Sequence, residues 1–366
     1  MSFNGFAGNP QHNLYLDRDC PDKLDAIESL RPQEFVGERV AFIHEWNGEV
    51  CLYTGSAVQV YKPDLSASKL IGALPPGDAV LFQDKQAWAS HEGPIRKYDA
   101  GLKPTLEEYV VPHGGPWSTG LGIYKSGDRL ALAYAFCGGP REWAPELQMN
   151  FAKEDQTPAG TRLLIPKKIT QPGDVESIVQ LGDRLYCAGE RGLSIFTFDG
   201  TLRKDIPIKG GILHLAASEK LQRVGGFYRS DDRWMYREFD SEGLETFSFP
   251  LSGAAQSGFV VFDADGARYL MSEKKIIKLG ADGQRQWSHS LLGTHAEAPR
   301  FLVYKNGRCA YVDDNALVRL DAAGVESHRI PLPAKKISSP PYLDANGTFW
   351  LGLAKQSEKV LKVRFK

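Results

Sequence analysis

The sequence predicts an all-β protein: a β-propeller of eight four-stranded blades, or seven if one unit is irregular. Three observations carry that prediction. A unit of roughly 40 residues recurs along the chain. Its segments are short and alternate apolar with polar residues, as half-buried strands do. Glycine makes up 37 of the 366 residues, above the usual level of about 7%, and it falls where hairpin turns require it. No segment has the length and period of a long helix.

Each unit reads as an apolar run, a turn, a second run, a short loop, an alternating third run, an Asp-x-x-Gly-like turn and a fourth run ending near Pro. Residues 182–208, 266–292 and 307–333 show the pattern well. The first-turn glycines are Gly48, Gly127, Gly182, Gly266, Gly307 and Gly347. Gly266 to Gly307 spans 41 residues and Gly307 to Gly347 spans 40. The intervals of 79 after Gly48 and 84 after Gly182 each hold two units, with hidden turns at Asp84-Lys85 and near Glu219-Lys220. The 55 residues from Gly127 to Gly182 hold one unit, with an insertion of roughly fifteen residues over the repeat period.

The turns follow from residue chemistry. Asn47-Gly48, Asn306-Gly307 and Asn346-Gly347 are predicted as two-residue type I′ turns, which need positive φ at both central positions. The second turn carries Asp199-Gly200, Asp240 with Gly243, Asp282-Gly283, or Asp321 with Gly324. There Asp bonds to the backbone that follows it and Gly takes the left-handed conformation. The last unit supplies strands over 337–343, 348–354 and 359–365, and lacks a fourth. Asn13-Leu14-Tyr15-Leu16 is expected to pair with that last blade and close the ring, removing an open edge. Residues 21–30 are expected to form one or two helical turns capped around Asp22. The organisation predicted is a tail over 1–37 and a single propeller domain over 38–366.

On these residues the chain resembles the β-propeller superfamily, nearest to WD-repeat-like and PQQ-type blades, from about residue 38 onward. The Gly-His and Trp-Asp pairs of WD blades are absent. The stretch from Gly280 to Trp287, GADGQRQW, resembles a PQQ-type tryptophan-docking turn. The resemblance implies the fold and leaves function open, because propellers host many activities.

Composition narrows the function classes. Lys+Arg is 44 and Asp+Glu is 45, a net charge of −1, so no general attraction to nucleic acid or anionic membrane is expected. Lys167-Lys168, Lys274-Lys275 and Lys335-Lys336 are isolated pairs rather than a basic stripe. No apolar run approaches the roughly 18 residues of a membrane span. The start MSFNGFAGNPQHN has no basic n-region or apolar core, and the expectation is a cytoplasmic protein. Cys20, Cys51, Cys137, Cys187 and Cys309 are odd in number, widely spaced and without a CxxC pair, which predicts small buried hydrophobes rather than disulfides or a zinc site.

In a propeller, the loops joining second to third strands share a face with the blade-to-blade links. Four unusual stretches map there and supply the candidate partner-binding residues. HGGPW offers His113 and Trp117. CGGPREWAPE offers Arg141 and Trp143. FYRSDDRW offers Tyr228, Arg229, Asp231, Arg233 and Trp234. LGTHAEAPR offers His295. Tyr, Trp and Arg are the types enriched at interface hot spots, and loops on rigid scaffolds concentrate function. Trp117 and Trp234 read equally well as packing between blades, and residues 229–233 as a solvated loop with local ion pairs.

Motifs for chemistry are missing. No HxxxH, HExxH or HxH occurs, and there is no GxSxG elbow, GxxxxGK[ST] loop or GxGxxG after a strand. His44-Glu45, at the end of an inner strand, is the better catalytic candidate, with a hydrogen-bonded structural histidine as the plainer reading. His214 also lies within an inner strand. Asp263-Ala-Asp265-Gly266 has local carboxylate spacing but also makes a simple hairpin turn. No catalytic residue, metal ligand or cofactor is therefore assigned. The function predicted is a non-catalytic protein-binding scaffold, monomeric by itself, of the inhibitor or immunity type that occludes a toxin or enzyme. Two alternatives stand beside it. One is a lactonase-like, metal-assisted hydrolase with its site at the central channel. The other is a glycan- or small-molecule-binding propeller in which Trp143 or Trp234 stacks on a sugar.

Overall fold

The computed structural model describes residues 15–366 except 36–38, 41, 47, 55–56, 67, 74–79, 84–85, 91–94, 100–102, 111–117, 127–128, 138–144, 154–160, 164, 169–174, 190–191, 211, 231–232, 252–257, 273, 293–300, 314, 334–336 and 355–356. The described strands form eight sheets. In chain order, the first holds Phe42–Trp46, Glu49–Tyr53, Ala57–Tyr61 and Ser68–Ala73. The second holds Val80–Gln83, Gln86–Ser90, Ile95–Tyr98 and Pro104–Val110. The third holds Ser118–Ser126, Arg129–Cys137, Pro145–Lys153 and Ile165–Lys168. The fourth holds Val175–Leu181, Arg184–Gly189, Gly192–Thr197 and Leu202–Pro207. The fifth holds Ile212–Ser218, Arg223–Ser230, Arg233–Asp240 and Glu245–Leu251. The sixth holds Gly258–Phe262, Arg268–Ser272, Lys275–Leu279 and Arg285–Ser290. The seventh holds Phe301–Tyr304, Arg308–Asp313, Ala316–Leu320 and Glu326–Pro331. The eighth holds Tyr342–Leu343, Phe349–Gly352 and Val360–Phe365, with Leu24–Leu30 as its outer strand. These antiparallel meanders are propeller blades.

The chain divides into two compact units, 71–253 and 13–70 with 254–366. In each, the core lies between successive sheets. In the first unit, Leu193 and Ile195 of the fourth sheet meet Leu215, Val224 and Phe239 of the fifth. In the second, Leu302 and Leu317 of the seventh meet Leu351 and Leu361 of the eighth. Each such side chain, fully buried, contributes about 1.5–3 kcal/mol. Fourth strands alternate instead: in Arg285–Ser290 only Trp287 and His289 are partly covered.

Trp287 shows how one blade grips the next. Its indole Nε1 donates to Ala322 O at 3.0 Å, and its ring stands edge-on to Tyr269. Gly324 of the adjoining turn has φ +77°, and a Cβ there would lie 2.4 Å from the indole. Only glycine fits both the left-handed backbone and that contact. The tryptophan-docking turn read from the sequence is thus present.

Some predicted turns differ. Asn306 and Gly307 both have positive φ, 62° and 72°, as type I′ requires, but the last pair is Tyr304 with Arg308, so the loop holds three residues rather than two. Asn346 does not, although Gly347 does. Asp344 explains the difference. Its Oδ1 accepts the backbone N–H of Asn346 and Thr348 at 2.8 and 2.9 Å, and its Oδ2 accepts Trp350 Nε1 at 2.9 Å. The carboxylate organises a wider turn than the dipeptide suggests.

The N-terminal region also corrects the sequence reading. The eighth sheet is completed by Leu24–Leu30, antiparallel to Val360–Phe365, where a helical turn or two was expected. Lys23 and Lys366 exchange backbone bonds at 3.2 and 2.7 Å. Tyr15–Leu16, the expected partner of the last blade, instead runs parallel to Phe301–Tyr304 on the seventh sheet. The insertion in the third unit contributes Thr161–Leu163, which adds in parallel to the outer edge of Pro104–Val110 in the second sheet. Cys20, Cys51, Cys187 and Cys309 are buried free thiols. Burial pushes all four thiol pKa values up, that of Cys20 to about 11.

Candidate partner-binding face

The described part of the predicted face is the hairpin of Arg223–Ser230 and Arg233–Asp240. Its arms pair without a shift from Arg223↔Asp240 to Ser230↔Arg233. The base of the hairpin is held by buried groups. Glu238 is fully buried and accepts Tyr236 Oη at 2.8 Å and Arg223 Nη1 at 3.3 Å. The Arg237 guanidinium lies 3.8 Å from the Tyr228 ring centroid and pairs with Glu245 at 3.0 Å.

The ten candidates separate on this frame. Tyr228, 3% exposed, belongs to the core shared by the fourth and fifth sheets. Trp234 is 9% exposed. Both therefore serve packing, the alternative reading for Trp234 and a correction for Tyr228. Its ring fills the wedge between neighbouring blades, which sequence position alone does not disclose. Arg229 pairs with Trp234 across the ladder and Arg233 with Ser230, so the backbone carries both arginines at the hairpin's end. His113, Trp117, Arg141, Trp143, Asp231 and His295 lie outside the described residues.

A second constellation surrounds His44. Arg18 reaches in from the N-terminal segment. Its Nη1 donates to Glu45 Oε2 at 2.7 Å, Tyr342 Oη at 3.1 Å and Leu343 O at 3.1 Å. Glu45 Oε2 also accepts the Ala345 N–H at 3.2 Å. The His44 and Tyr342 rings meet edge-on at 6.0 Å. Burial, aided by the Arg18 charge, pushes the His44 pKa down to about 4. Burial pushes the Tyr342 phenol up to about 12. At neutral pH both are uncharged, and Arg18 with Glu45 ties the N-terminal segment to two sheets. Sequence reasoning missed Arg18 because it lies in the presumed tail. Among the described residues no group of three or more His, Cys, Asp or Glu side chains converges as metal ligands would.

This environment gives a pH prediction. The folded pKa of His44 lies below its unfolded value of about 6.5, so the unfolded chain takes up a proton first as pH falls. His44 thus lowers stability progressively from about pH 6.5 to pH 4. Urea unfolding should show His44→Gln losing less stability than the parent over that window, by up to about 3 kcal/mol. Parallel pH profiles for the two proteins would contradict this account.

A cleft of about 330 Å³ lies at the turns of the fourth and fifth sheets, lined by Arg184, Ile195, Arg203, Lys204, Ser241, Glu242 and Leu244. Arg184 bonds to Ser241 O and pairs with Glu242, and Lys204 Nζ donates to Glu242 O at 3.0 Å. These ties bind one blade to the next.

No protein-family profile matches the sequence, and no curated protein does. Solved structures do. Virginiamycin B lyase from Staphylococcus aureus is 16% identical, with a TM-score of 0.51 over 79% of this chain and 95% of that one. A chain of the mitotic checkpoint complex is 11% identical, with a TM-score of 0.52 over 96% and 98%. The Dos1 propeller is 8% identical, with a TM-score of 0.63 over 93% and 94%. At such identities the likeness is one of fold. It agrees with the meanders and the tryptophan-docked turn: the chain is a β-propeller.

Proposed function

We propose that this propeller is a non-catalytic scaffold that binds a protein partner through the face carrying the long loops. The observation that carries the reading is the fifth-sheet hairpin. A base fixed by buried Tyr228, Tyr236 and Glu238 presents Arg229 and Arg233 at its end. Arginine's planar fork suits carboxylates and carbonyls, and a fixed base lowers the ordering cost of binding. Trp143 and Trp117, which the sequence assigns to loops of the same face, are the expected aromatic anchors. Similarity to a chain of the mitotic checkpoint complex adds a propeller that works within an assembly. In this reading the protein acts in the cytoplasm as an inhibitor or immunity protein that occludes a toxin or enzyme.

Affinity capture from the source cell tests it. The purified chain is expected to retain a protein partner in stoichiometric amount, and Trp143→Ala with Arg229→Ala to weaken that complex at least about tenfold, the loss typical of hot-spot residues. Recovery of no partner, or a complex indifferent to the double variant, would sink the reading. A stoichiometric divalent metal in elemental analysis would favour the metal-assisted hydrolase instead.

A further inference from the structure

Outer strands of open sheets are sites of unwanted pairing, and proteins blunt them with proline, charge or a covering segment. This chain blunts most of its described outer edges in these ways. The fourth and seventh sheets end their outer strands at Pro207 and Pro331. Leu332 donates its N–H inward, to Asn315 O, so Pro331 faces outward. There it offers no donor to an incoming strand. The fifth sheet carries Pro250 near the end of its outer strand and the third carries Pro166. The outer strand of the eighth sheet carries Asp25 and Glu28, paired with Arg364 and Lys366. The second sheet's outer edge is occupied by Thr161–Leu163.

The sixth sheet departs from this. Its outer strand, Arg285–Ser290, contains neither proline nor a carboxylate, which is true also of Ser68–Ala73 in the first sheet. Leu291 donates inward to Lys274 O at 2.9 Å, the same relation as Leu332 to Asn315. Ser290 therefore stands where Pro331 stands in the next sheet: Ser290 pairs with Lys275 as Pro331 pairs with Ala316. By alternation the N–H groups of Ser288 and Ser290 face outward, while the bulge at Gln286 interrupts the alternation before them. Both residues are exposed. Trp287 and His289, on the opposite alternation, hold the strand to the seventh sheet through Ala322 O and Tyr311 Oη, the latter at 2.9 Å. The edge is thus rigid, accessible and able to donate. Exposed cations mark its two ends, Arg285 at one and Lys274 beside Ser290 at the other.

We propose that this edge docks an extended segment of a partner protein by strand addition, with acidic residues of that segment meeting Arg285 and Lys274. Strand addition supplies backbone bonds as the source of affinity, and the charged ends supply selection. The strand rises about 3.4 Å per residue, so the two carboxylates belong about five residues apart. The Thr161–Leu163 pairing shows that an outer edge of this molecule accepts an added strand. The site is separate from the loop face and stands or falls independently of it.

The probe is an end-capped peptide, Glu-Thr-Val-Thr-Val-Glu, with its Lys-for-Glu counterpart as control, added to the full chain. Amide exchange followed by NMR is expected to slow at Ser288 and Ser290 at least tenfold with the acidic peptide and to stay unchanged with the basic one. Ser290→Pro is expected to abolish the protection. Should that variant fail to fold, Arg285→Glu with Lys274→Glu leaves the backbone intact and is expected to exchange the preference for the basic peptide. No slowing at these amides with the acidic peptide overturns the proposal. Equal slowing with both peptides, or a charge-reversed chain that keeps the acidic preference, overturns its charge selection.

Discussion

A chain lacking residues 1–30 is expected to lose its cooperative unfolding transition or to aggregate on purification. The deletion removes the seven-residue outer strand Leu24–Leu30 and leaves Val360–Phe365 as a bare, largely hydrophobic edge, with four of its six residues apolar or aromatic and the other two Lys362 and Arg364. Such an edge is a template for intermolecular pairing. The deletion also strips Cys20 from the core between the seventh and eighth sheets. It removes Arg18 from Glu45 and Tyr342, and it takes from the buried Arg319 the acceptors Cys20 O and Pro21 O. Of its acceptors among the described residues, Arg319 then keeps only the Tyr304 hydroxyl, and breaking the partners of a buried charge costs up to about 3–5 kcal/mol by itself. Domains are stable by only about 5–15 kcal/mol in total. Size-exclusion chromatography and thermal unfolding measure the result, and a synthetic peptide spanning 15–30 is expected to restore part of the transition. A truncated chain that stays soluble and unfolds at the parent's midpoint would refute this role.

The repeat was legible in the sequence because its punctuation is local. Asn306-Gly307 and Asp321 with Gly324 encode their turns in neighbouring backbone chemistry, and the structure turns at both places, the first through a loop one residue longer than expected. Leu24–Leu30 was not legible for the opposite reason. In LDAIESL the apolar residues Leu24, Ile27 and Leu30 recur every three positions, which reads as helix. The strand forms because the eighth sheet offers a free edge, a tertiary influence that overrides local propensity. Tyr15–Leu16 was recognised as a short strand but given the wrong partner, since two residues carry too little pattern to fix register. The same limit governs the candidate site. Residues Tyr228 to Trp234 show the composition of a binding loop, yet Tyr228 and Trp234 are buried. Composition reports which side chains can bind; only the packing of one blade on the next decides which of them face outward.

Arg319→Ala is expected to destabilise the fold by about 4 kcal/mol, and the source of that loss is specific. The Arg319 side chain is 1% exposed. Its Nε donates to Tyr304 Oη at 3.1 Å, its Nη1 to Pro21 O at 3.0 Å and its Nη2 to Cys20 O at 3.4 Å. The guanidinium also lies 4.4 Å from the Phe365 ring centroid. In the fifth and seventh sheets an Asp-x-x-Gly turn lies at this position and docks on the preceding blade through Ser241 O and Ala322 O. In the eighth sheet the chain's two ends meet instead, and Arg319 gathers the carbonyls of Cys20 and Pro21. Truncation leaves those acceptors unsatisfied, at about 1–3 kcal/mol each, and forfeits a cation–π contact of about 1 kcal/mol. Asp22, the one carboxylate it meets among the described residues, is 70% exposed, and exposed pairs contribute only about 0–1 kcal/mol. Asp22→Ala should therefore cost less than about 1 kcal/mol. In a double-mutant cycle it should show correspondingly small coupling to Arg319→Ala. Arg319→Lys should recover less than half of the loss, because one ammonium cannot serve acceptors spread across the planar fork. Urea denaturation of the five proteins, the parent, the three members of the cycle and Arg319→Lys, decides the matter. A large coupling energy with Asp22 would show that an ion pair, rather than the capture of backbone carbonyls, holds the N-terminal segment in place.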